Sequence, residues 1–145
     1  MIYKNPWLLK KDVLPQHTDH AGVLWHGSYI NWLEEARFDA LSKTGFDYKN
    51  MIKDGYELPV KEIKVKYIRP IYLGEEITIK SYFDMKIKSP KILVKSELIN
   101  KNNCLSTIAE VVLVLINKNE FKIVKNKPKY INNLYEKLFT GPNNI

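Results

Sequence analysis

The sequence predicts an α+β domain in which an antiparallel sheet wraps one central helix. Residues 29–43 carry apolar side chains at helical spacing. From Leu58 onward apolar and polar residues alternate with a period of two, as in half-buried strands. A helix followed by several strands buries its apolar stripe most simply against the sheet that those strands form. We therefore expect residues 1–145 to be a single domain.

The elements can be placed in order along the chain. A first strand is expected over residues 7–14, ended by Pro15, and then a loop over residues 16–28. The helix is expected over residues 29–43, with Ser28 as its N-cap and Gly45 as its stop. Its apolar residues reach far around the circumference, so we expect cover on most sides; they are Tyr29, Ile30, Trp32, Leu33, Ala36, Phe38, Ala40 and Leu41.

The second half of the chain is expected to supply the rest of the sheet. A half-buried strand contains Ile63, Val65 and Tyr67 and ends at Arg69-Pro70. Further strands are expected over residues 77–85, 92–99 and 105–116, and the last is placed centrally because both its faces are apolar. The stretch 46–57 is expected to be a connection with a short helical turn, and residues 130–139 a terminal helix.

The composition excludes several classes of protein. Hydrophobic residues make up 45% and charged residues 27% of the 145, which are globular values. The longest apolar run, residues 111–116, is far too short for a membrane span. The first residues lack the apolar core of a signal peptide, and a single cysteine, Cys104, excludes an internal disulfide. We expect a soluble cytoplasmic protein.

The net charge of +7 raises the question of an anionic partner. All of the basic residues except Arg37 and Arg69 are lysines, and they are scattered along the chain. No RNA-recognition signature, zinc knuckle or helix-turn-helix pattern accompanies them. We expect no nucleic-acid partner, whereas an anionic small ligand such as coenzyme A fits the charge.

The candidate site is the stretch of residues 16–37. It contains all three histidines, His17, His20 and His26, and a turn that carries Asp19 just before the helix begins. Backbone N–H groups at a helix N-terminus can polarise a carbonyl oxygen while a nearby carboxylate attacks it or activates water. Alternatively, Asp19 could be a turn residue that bonds its own backbone. Adjacent turn residues rarely converge on a metal, so we expect no metal site.

Seven positions of this stretch resemble the hotdog-fold acyl-CoA thioesterases of the 4-hydroxybenzoyl-CoA thioesterase superfamily, with the closest likeness to the Tol-Pal-associated branch. The family shows a D-x-D-x-x-G turn, a histidine or tyrosine four residues after the glycine, and a helix with Y-x-x-x-x-E-x-A-R. The matching residues here are Asp19, Gly22, His26, Tyr29, Glu34, Ala36 and Arg37. Tyr67-Ile-Arg-Pro and Gly74-Glu-Glu also resemble the family's second strand and turn. The first aspartate of the turn is replaced by His17, which changes the surroundings of Asp19.

The resemblance implies an enzyme that hydrolyses acyl-CoA to a free acid and coenzyme A without a cofactor. It implies that Asp19 is the nucleophile or general base, and that the backbone amides of His26 and Gly27 hold the oxyanion. Residues expected to contact substrate are Gly22, Trp25, Tyr29, Glu34 and Arg69. The family also implies a homo-oligomer, a dimer or a homotetramer, with active sites at the dimer interface. Arg69 is expected to bind a coenzyme A phosphate or a carboxylate of the partner subunit.

Several alternatives remain open at the level of the sequence. The acyl group could be short aliphatic, hydroxybenzoyl or dihydroxynaphthoyl, and an acyl carrier protein could replace coenzyme A. Glu34 is a second candidate for the nucleophile, although an ion pair with Arg37 three residues later also explains it. A hotdog dehydratase and a non-catalytic acyl- or CoA-binding or scaffolding protein are the alternative functions.

Overall fold

The computed structural model describes residues 5–86 and 89–142, in which one long helix lies against a five-stranded antiparallel sheet. The α+β class and the sheet wrapped around a central helix are confirmed. A single 3-10 turn, Pro15–His17, follows the first strand. The helices are α1 (His26–Lys43), α2 (Tyr48–Lys53) and α3 (Lys129–Thr140). The strands are β1 (Trp7–Asp12), β2 (Tyr56–Glu57), β3 (Val60–Tyr67), β4 (Glu76–Asp84), β5 (Lys91–Asn100), β6 (Leu105–Val114), β7 (Ile116–Asn117) and β8 (Lys122–Ile123).

The order of the strands leaves β3 at an edge of the large sheet. That order is β1-β4-β5-β6-β3, and every neighbouring pair is antiparallel. The long apolar strand β6 is therefore an interior strand beside the edge, whereas β5 occupies the centre that the sequence assigned to β6. A separate small sheet, β2-β7-β8, is built from two-residue strands.

The core lies between one face of the large sheet and the helices α1 and α3. Alternate residues of β4 and β5 point into it, as the period-two pattern predicts, and Ile77, Ile79, Ile92 and Leu98 are fully buried. The terminal helix α3, predicted from the sequence, closes the core from one end; the Trp7 indole N–H donates to the carbonyl of Leu138 at 2.9 Å. Burial of this continuous apolar cluster positions α1 relative to the sheet.

The start of α1 differs from the prediction. The helix begins at His26, with Trp25 in the N-cap position, so Ser28 is not the cap. The Ser28 hydroxyl donates instead to the carbonyl of His17 at 2.8 Å, a tertiary contact that no local pattern encodes. Gly45 does follow the end of the helix, with φ +79°, as expected for a helix stop.

The cover of α1 is also less complete than predicted. Trp32 and Leu41 are buried, but Ile30 is 43% and Phe38 39% exposed, so one side of the helix is open. Strand β3 is an exposed edge rather than a half-buried strand; Ile63 and Tyr67 are 38% and 55% exposed.

Several short connections and the chain end complete the description of the fold. The short helical turn predicted in residues 46–57 is α2, and a tight turn of residues 100–104 joins β5 to β6. Residues 87–88, between the strands predicted over residues 77–85 and 92–99, lie outside the described residues, as does the tail from residue 143. No helix in the described ranges is both long and apolar enough to cross a membrane.

Candidate active site

Asp19 is the first residue of a tight turn, and its carboxylate accepts hydrogen bonds from later residues of the same turn. The Oδ1 atom accepts the backbone N–H groups of Ala21 at 2.9 Å and Val23 at 3.2 Å. The N–H of Asp19 donates to the carbonyl of Val23 at 2.9 Å. The structure therefore confirms the turn role of Asp19. Its side chain is exposed, and among the described residues no group donates to Oδ2, which stays available for chemistry.

Gly22 allows this turn to be so tight. It lies at φ +76°, in the left-handed region that glycine adopts at little cost, and its N–H donates to the carbonyl of Asp19 at 3.1 Å. The carbonyl of Gly22 in turn accepts the N–H of Leu73 at 2.9 Å. Gly22 thus shapes the turn through its backbone.

The turn is fixed to the segment that precedes β4. The N–H of Leu24 donates to the carbonyl of Ile71 at 2.7 Å, and Val23 forms an isolated antiparallel bridge with Tyr72. Ile71 and Leu24 are both buried. The backbone that follows Asp19 is consequently fixed to the segment before β4.

The first turn of α1 presents unpaired backbone N–H groups. Ser28 donates its N–H to the carbonyl of Trp25 at 2.8 Å. The N–H groups of His26 and Gly27 have no acceptor among the described residues, as expected for the first residues of a helix. Such groups, together with the positive end of the helix dipole, favour a developing negative charge.

A cavity of about 350 Å³ opens beside these groups. It brings together three of the residues predicted for the site, His26, Tyr29 and Arg69, from the helix start and the end of β3. His26 and Arg69 are exposed, whereas Tyr29 is buried at 3% exposure. Burial raises the pKa of Tyr29, so its hydroxyl stays protonated at neutral pH. The other lining residues are Val23, Leu24, Tyr67, Ile68 and Pro70.

Tyr67 is the site-lining residue that the sequence did not single out. Its ring lies edge-on against Tyr29, with ring centroids 4.9 Å apart and planes at 83°. Tyr67 reaches Tyr29 because β3 pairs with β6 in the register that aligns Tyr67 with Thr107. The Tyr67-Ile-Arg-Pro motif is the sequence signal that could have identified Tyr67. The two residues after Tyr67 in this motif, Ile68 and Arg69, line the same cavity.

The other predicted residues do not line this cavity; they are Asp19, Gly22, Trp25, Gly27 and Glu34. Trp25 is 48% exposed, and its ring lies 4.9 Å from that of His26. Glu34 lies two helical turns along α1, in a different surface depression that also contains Asn31 and Phe38. It forms the predicted i,i+3 ion pair with Arg37 at 3.7 Å, where burial lowers the pKa of the guanidinium.

A metal site would need several converging ligands. Across residues 5–86 and 89–142, no three histidine, cysteine, aspartate or glutamate side chains come together in a way that could hold an ion. The Nδ1 atom of His17 already accepts a hydrogen bond from the N–H of Leu14. The polar side chains that line the cavity are the imidazole of His26, the phenols of Tyr29 and Tyr67, and the guanidinium of Arg69.

Comparison with known proteins identifies the family of the chain. Residues 13–133 match the family model described as the Thioesterase-like superfamily. A protein of Synechocystis sp. assigned as an esterase is 36% identical over 124 residues, which is 82% of this chain and 72% of that protein. An acyl-CoA thioester hydrolase of Escherichia coli is 24% identical over 107 residues, 74% of this chain and 79% of that enzyme.

The solved structures agree on the fold. A DHNA-CoA thioesterase from Staphylococcus aureus superposes with a TM-score of 0.74 and is 30% identical, covering 83% of this chain and 80% of that one. The expected hotdog architecture is thereby confirmed. The likeness to the Tol-Pal-associated branch in particular stays a prediction.

Proposed function

Because the chain belongs to the thioesterase-like superfamily and is a thioester hydrolase, we propose that its substrates are acyl-CoA thioesters and that Asp19 is its catalytic carboxylate. One observation carries the proposal. A turn carboxylate with a free oxygen precedes, within a few residues, two unpaired helix N–H groups at the mouth of an apolar cavity. These are the groups that thioester hydrolysis requires, and they lie in one segment of backbone.

In the proposed reaction, the substrate carbonyl oxygen lies at the N–H groups of His26 and Gly27. A water oxygen attacks the carbonyl carbon while one of its protons passes to Asp19, and the negative charge collects on the carbonyl oxygen. The carbon–sulfur bond then breaks, and coenzyme A leaves as a thiolate that takes up a proton. Alternatively, Asp19 attacks directly and forms an anhydride, which water hydrolyses.

The lining of the cavity supports an aromatic acyl group. Leu24, Tyr29 and Tyr67 offer an apolar wall with two aromatic rings, and aromatic pairs add stabilisation beyond their buried area. A relative that is 30% identical bears the name DHNA-CoA thioesterase. We therefore expect higher kcat/KM for benzoyl-CoA and 1,4-dihydroxy-2-naphthoyl-CoA than for hexanoyl-CoA.

Arg69 is proposed to bind the coenzyme A end of the substrate. It lies on the rim of the cavity, exposed, at the end of the edge strand. A guanidinium presents several N–H donors in a planar arrangement that suits a phosphate. Glu34, which lies outside the cavity, is proposed only as a positioning residue through its ion pair with Arg37.

We also propose that the active unit is a homodimer formed through β3. This strand has no neighbour on its outer side in the sheet order, and its apolar residues Val60, Ile63 and Tyr67 are exposed. Unpaired edges with exposed apolar residues are suited to pairing with a second copy. Because Tyr67 and Arg69 belong to the same edge, a partner there would also border the cavity.

The proposed function is tested by thiol release from a panel of aliphatic and aromatic acyl-CoAs, with wild type beside Asp19→Asn. The asparagine Oδ1 can still accept the N–H groups of Ala21 and Val23, so the turn is kept. We expect kcat to fall by roughly 10²- to 10⁴-fold, as for loss of a general base. Equal rates in the two proteins would remove Asp19 from the mechanism. Coenzyme A binding with no turnover of any substrate would favour a carrier-protein substrate or a binding protein.

Single-turnover hydrolysis in ¹⁸O-water tests for direct attack by Asp19. With enzyme in excess, water attack places ¹⁸O in the product acid at the first turnover. Direct attack by Asp19 instead transfers an unlabelled carboxylate oxygen to the product when water opens the anhydride at the aspartyl carbon. An unlabelled acid in the mass spectrum after one turnover therefore identifies direct attack, whereas a labelled acid is common to water attack and to opening of the anhydride at the acyl carbon.

A further inference from the structure

We propose that the neutral His17 imidazole is a positioning group that holds the Asp19 turn against the first turn of α1. This inference rests on the proposed function, since Asp19 is the group being positioned. His17 ends the 3-10 turn Pro15–His17, immediately before the Asp19 turn. His17 occupies the position of the first aspartate in the family pattern. The proposed positioning role therefore belongs to a residue at which this chain departs from that pattern.

The imidazole of His17, the last residue of the 3-10 turn, bonds back to Leu14, the residue before the turn. Its Nδ1 atom accepts the backbone N–H of Leu14 at 3.0 Å. The N–H of His17 donates back to the carbonyl of Leu14 at 2.9 Å. This is the side-chain-to-backbone bond of a capping box, in which the third residue is ordinarily glutamate or glutamine.

The carbonyl of His17 connects the same residue to α1. It accepts the N–H of Trp25 at 2.9 Å and the hydroxyl of Ser28 at 2.8 Å. Ser28 is 4% exposed, so this bond is shielded from water. The His17 ring lies edge-on against Trp32, which is fully buried, with ring centroids 5.3 Å apart and planes at 76°. His17 thus contacts both Leu14, the residue before the 3-10 turn, and α1, the helix that supplies the proposed oxyanion amides.

The geometry has a consequence for Asp19, two residues further along. Its position relative to the amides of His26 and Gly27 depends on where the His17 backbone is held. Displacement of a catalytic group by about 1 Å can lower the rate by roughly 10²-fold. Loss of the Leu14 bond should therefore lower kcat without removing any group that touches the substrate.

The bond to Leu14 also depends on protonation. A neutral imidazole has one accepting nitrogen, whereas an imidazolium donates from both and cannot accept an N–H. Protonation of His17 would therefore break the capping bond. Other titratable groups of the surrounding elements are Asp12 on β1, Asp19 and His20 in the turn, His26 and Glu35 on α1, and Glu75 before β4. The experiment must separate His17 from these.

Three variants make that separation. His17→Gln keeps an acceptor for Leu14 but does not titrate, and His17→Leu removes the acceptor at similar size. His20→Gln is the matched control, because His20 is an exposed neighbour in the same turn. The substrate is the acyl-CoA that wild type hydrolyses fastest, and kcat and kcat/KM are measured from pH 5 to 8.5.

We expect wild type and His20→Gln to have the same kcat at neutral pH and to lose it together on acidification, because protonation removes the acceptor for the Leu14 N–H. His17→Gln should keep kcat near the wild-type value at neutral pH and lose less of it towards pH 5. His17→Leu should lower kcat by roughly 10- to 100-fold at every pH, with a smaller change in KM. An acid decline unchanged in His17→Gln, or a wild-type kcat in His17→Leu, would overturn the proposal.

A second readout does not depend on turnover. The ¹⁵N shifts of the His17 ring report which nitrogen carries the proton, and amide exchange of Leu14 reports the capping bond. We expect an unprotonated Nδ1 and a protected Leu14 amide at neutral pH, both lost together on acidification. A protonated Nδ1 at neutral pH would overturn the proposal even if no acyl-CoA is hydrolysed, whereas the expected pattern without turnover would contradict only the proposed function. If His17→Leu does not fold, the pH profile of His17→Gln and the NMR readout still test the proposal.

Discussion

The indole of Trp25 lies directly over Gly27, so that a Cβ atom at Gly27 would overlap the ring. Gly27 supplies one of the two proposed oxyanion amides, and Trp25 is half exposed, with its ring against that of His26, which lines the cavity. The absence of a side chain at Gly27 therefore lets an aromatic ring cover the helix start without displacing its N–H groups.

Gly27→Ala is expected to push the indole aside and leave kcat nearly unchanged, because the amide of residue 27 stays in place. The free energy of unfolding should change by less than about 1 kcal/mol, since alanine is the better helix former by a similar amount. We expect KM for acyl-CoA to rise several-fold. Trp25→Ala, which keeps the glycine, should give the same KM. A tenfold fall in kcat for Gly27→Ala would contradict this division of roles.

Gly22 and Gly45 form a matched pair for testing the Asp19 turn. They lie at φ +76° and +79°, and in both the space for a Cβ atom is open. Alanine at either position should cost about 1 kcal/mol of unfolding free energy because of the backbone strain. Only Gly22→Ala should also lower kcat, because Gly45 lies at the far end of α1. Similar kcat values in the two variants would show that the turn geometry is not needed.

Ile63 tests the proposed dimer. Ile63→Lys should convert the dimer to a monomer, measured by analytical ultracentrifugation, because a charge at an edge strand opposes pairing. Ile108→Lys is the control: its exposure, 37%, matches the 38% of Ile63, but it lies on the strand between β3 and β5. Unchanged sedimentation of Ile63→Lys would place the subunit contact elsewhere.

Arg69 tests the proposed coenzyme A contact. Arg69→Lys keeps the charge and loses the planar set of donors, so KM should rise a few-fold with kcat maintained. Arg69→Ala should raise KM further, and the effect should shrink in high salt because exposed charges are screened. A normal KM together with a normal oligomer size in Arg69→Lys would remove the residue from both proposed roles.

Tyr135 gives a prediction about stability at high pH. Its side chain is 3% exposed, its hydroxyl donates to the carbonyl of Pro90 at 3.3 Å, and burial raises its pKa. Above about pH 10 the tyrosine ionises in the unfolded chain but not in the folded one, so the unfolded state binds fewer protons and stability falls as the pH rises. Tyr135→Phe should lower Tm at pH 7 slightly and flatten the decline between pH 9 and 11. Tyr72→Phe, at a half-exposed tyrosine, should leave the decline as in wild type.

The elements that the sequence predicts well are those with local causes. The end of α1 follows from Gly45, whose φ only glycine adopts easily, and β4 follows from the alternation of Ile77, Ile79 and Phe83 with polar residues. The turn of Asp19 is also local, because its carboxylate bonds amides two and four residues later. In such cases the neighbours in sequence are the neighbours in space.

The predictions from sequence are wrong or incomplete where contacts between residues distant in sequence determine the structure. Ser28 has the chemistry of a cap, yet its hydroxyl bonds the carbonyl of His17 across the loop. Tyr67 joins the cavity only through the register of β3 on β6, which periodicity does not fix. Ile30 and Phe38 belong to an apolar pattern that overstates their cover, because helical periodicity gives the face on which a residue lies and not what packs against that face.

The attachment of the Asp19 turn to residues 71–73 bears on the order in which the protein matures. During synthesis β1, the turn and α1 leave the ribosome well before the segment that holds the turn, so the helix can form while the neighbouring Asp19 turn still lacks the Leu24–Ile71 and Gly22–Leu73 bonds. Such long-range pairings form late because the chain between them must first be ordered. Competence for catalysis should therefore appear at a late step, after the sheet has docked, and partly folded chains would remain inert towards cellular thioesters.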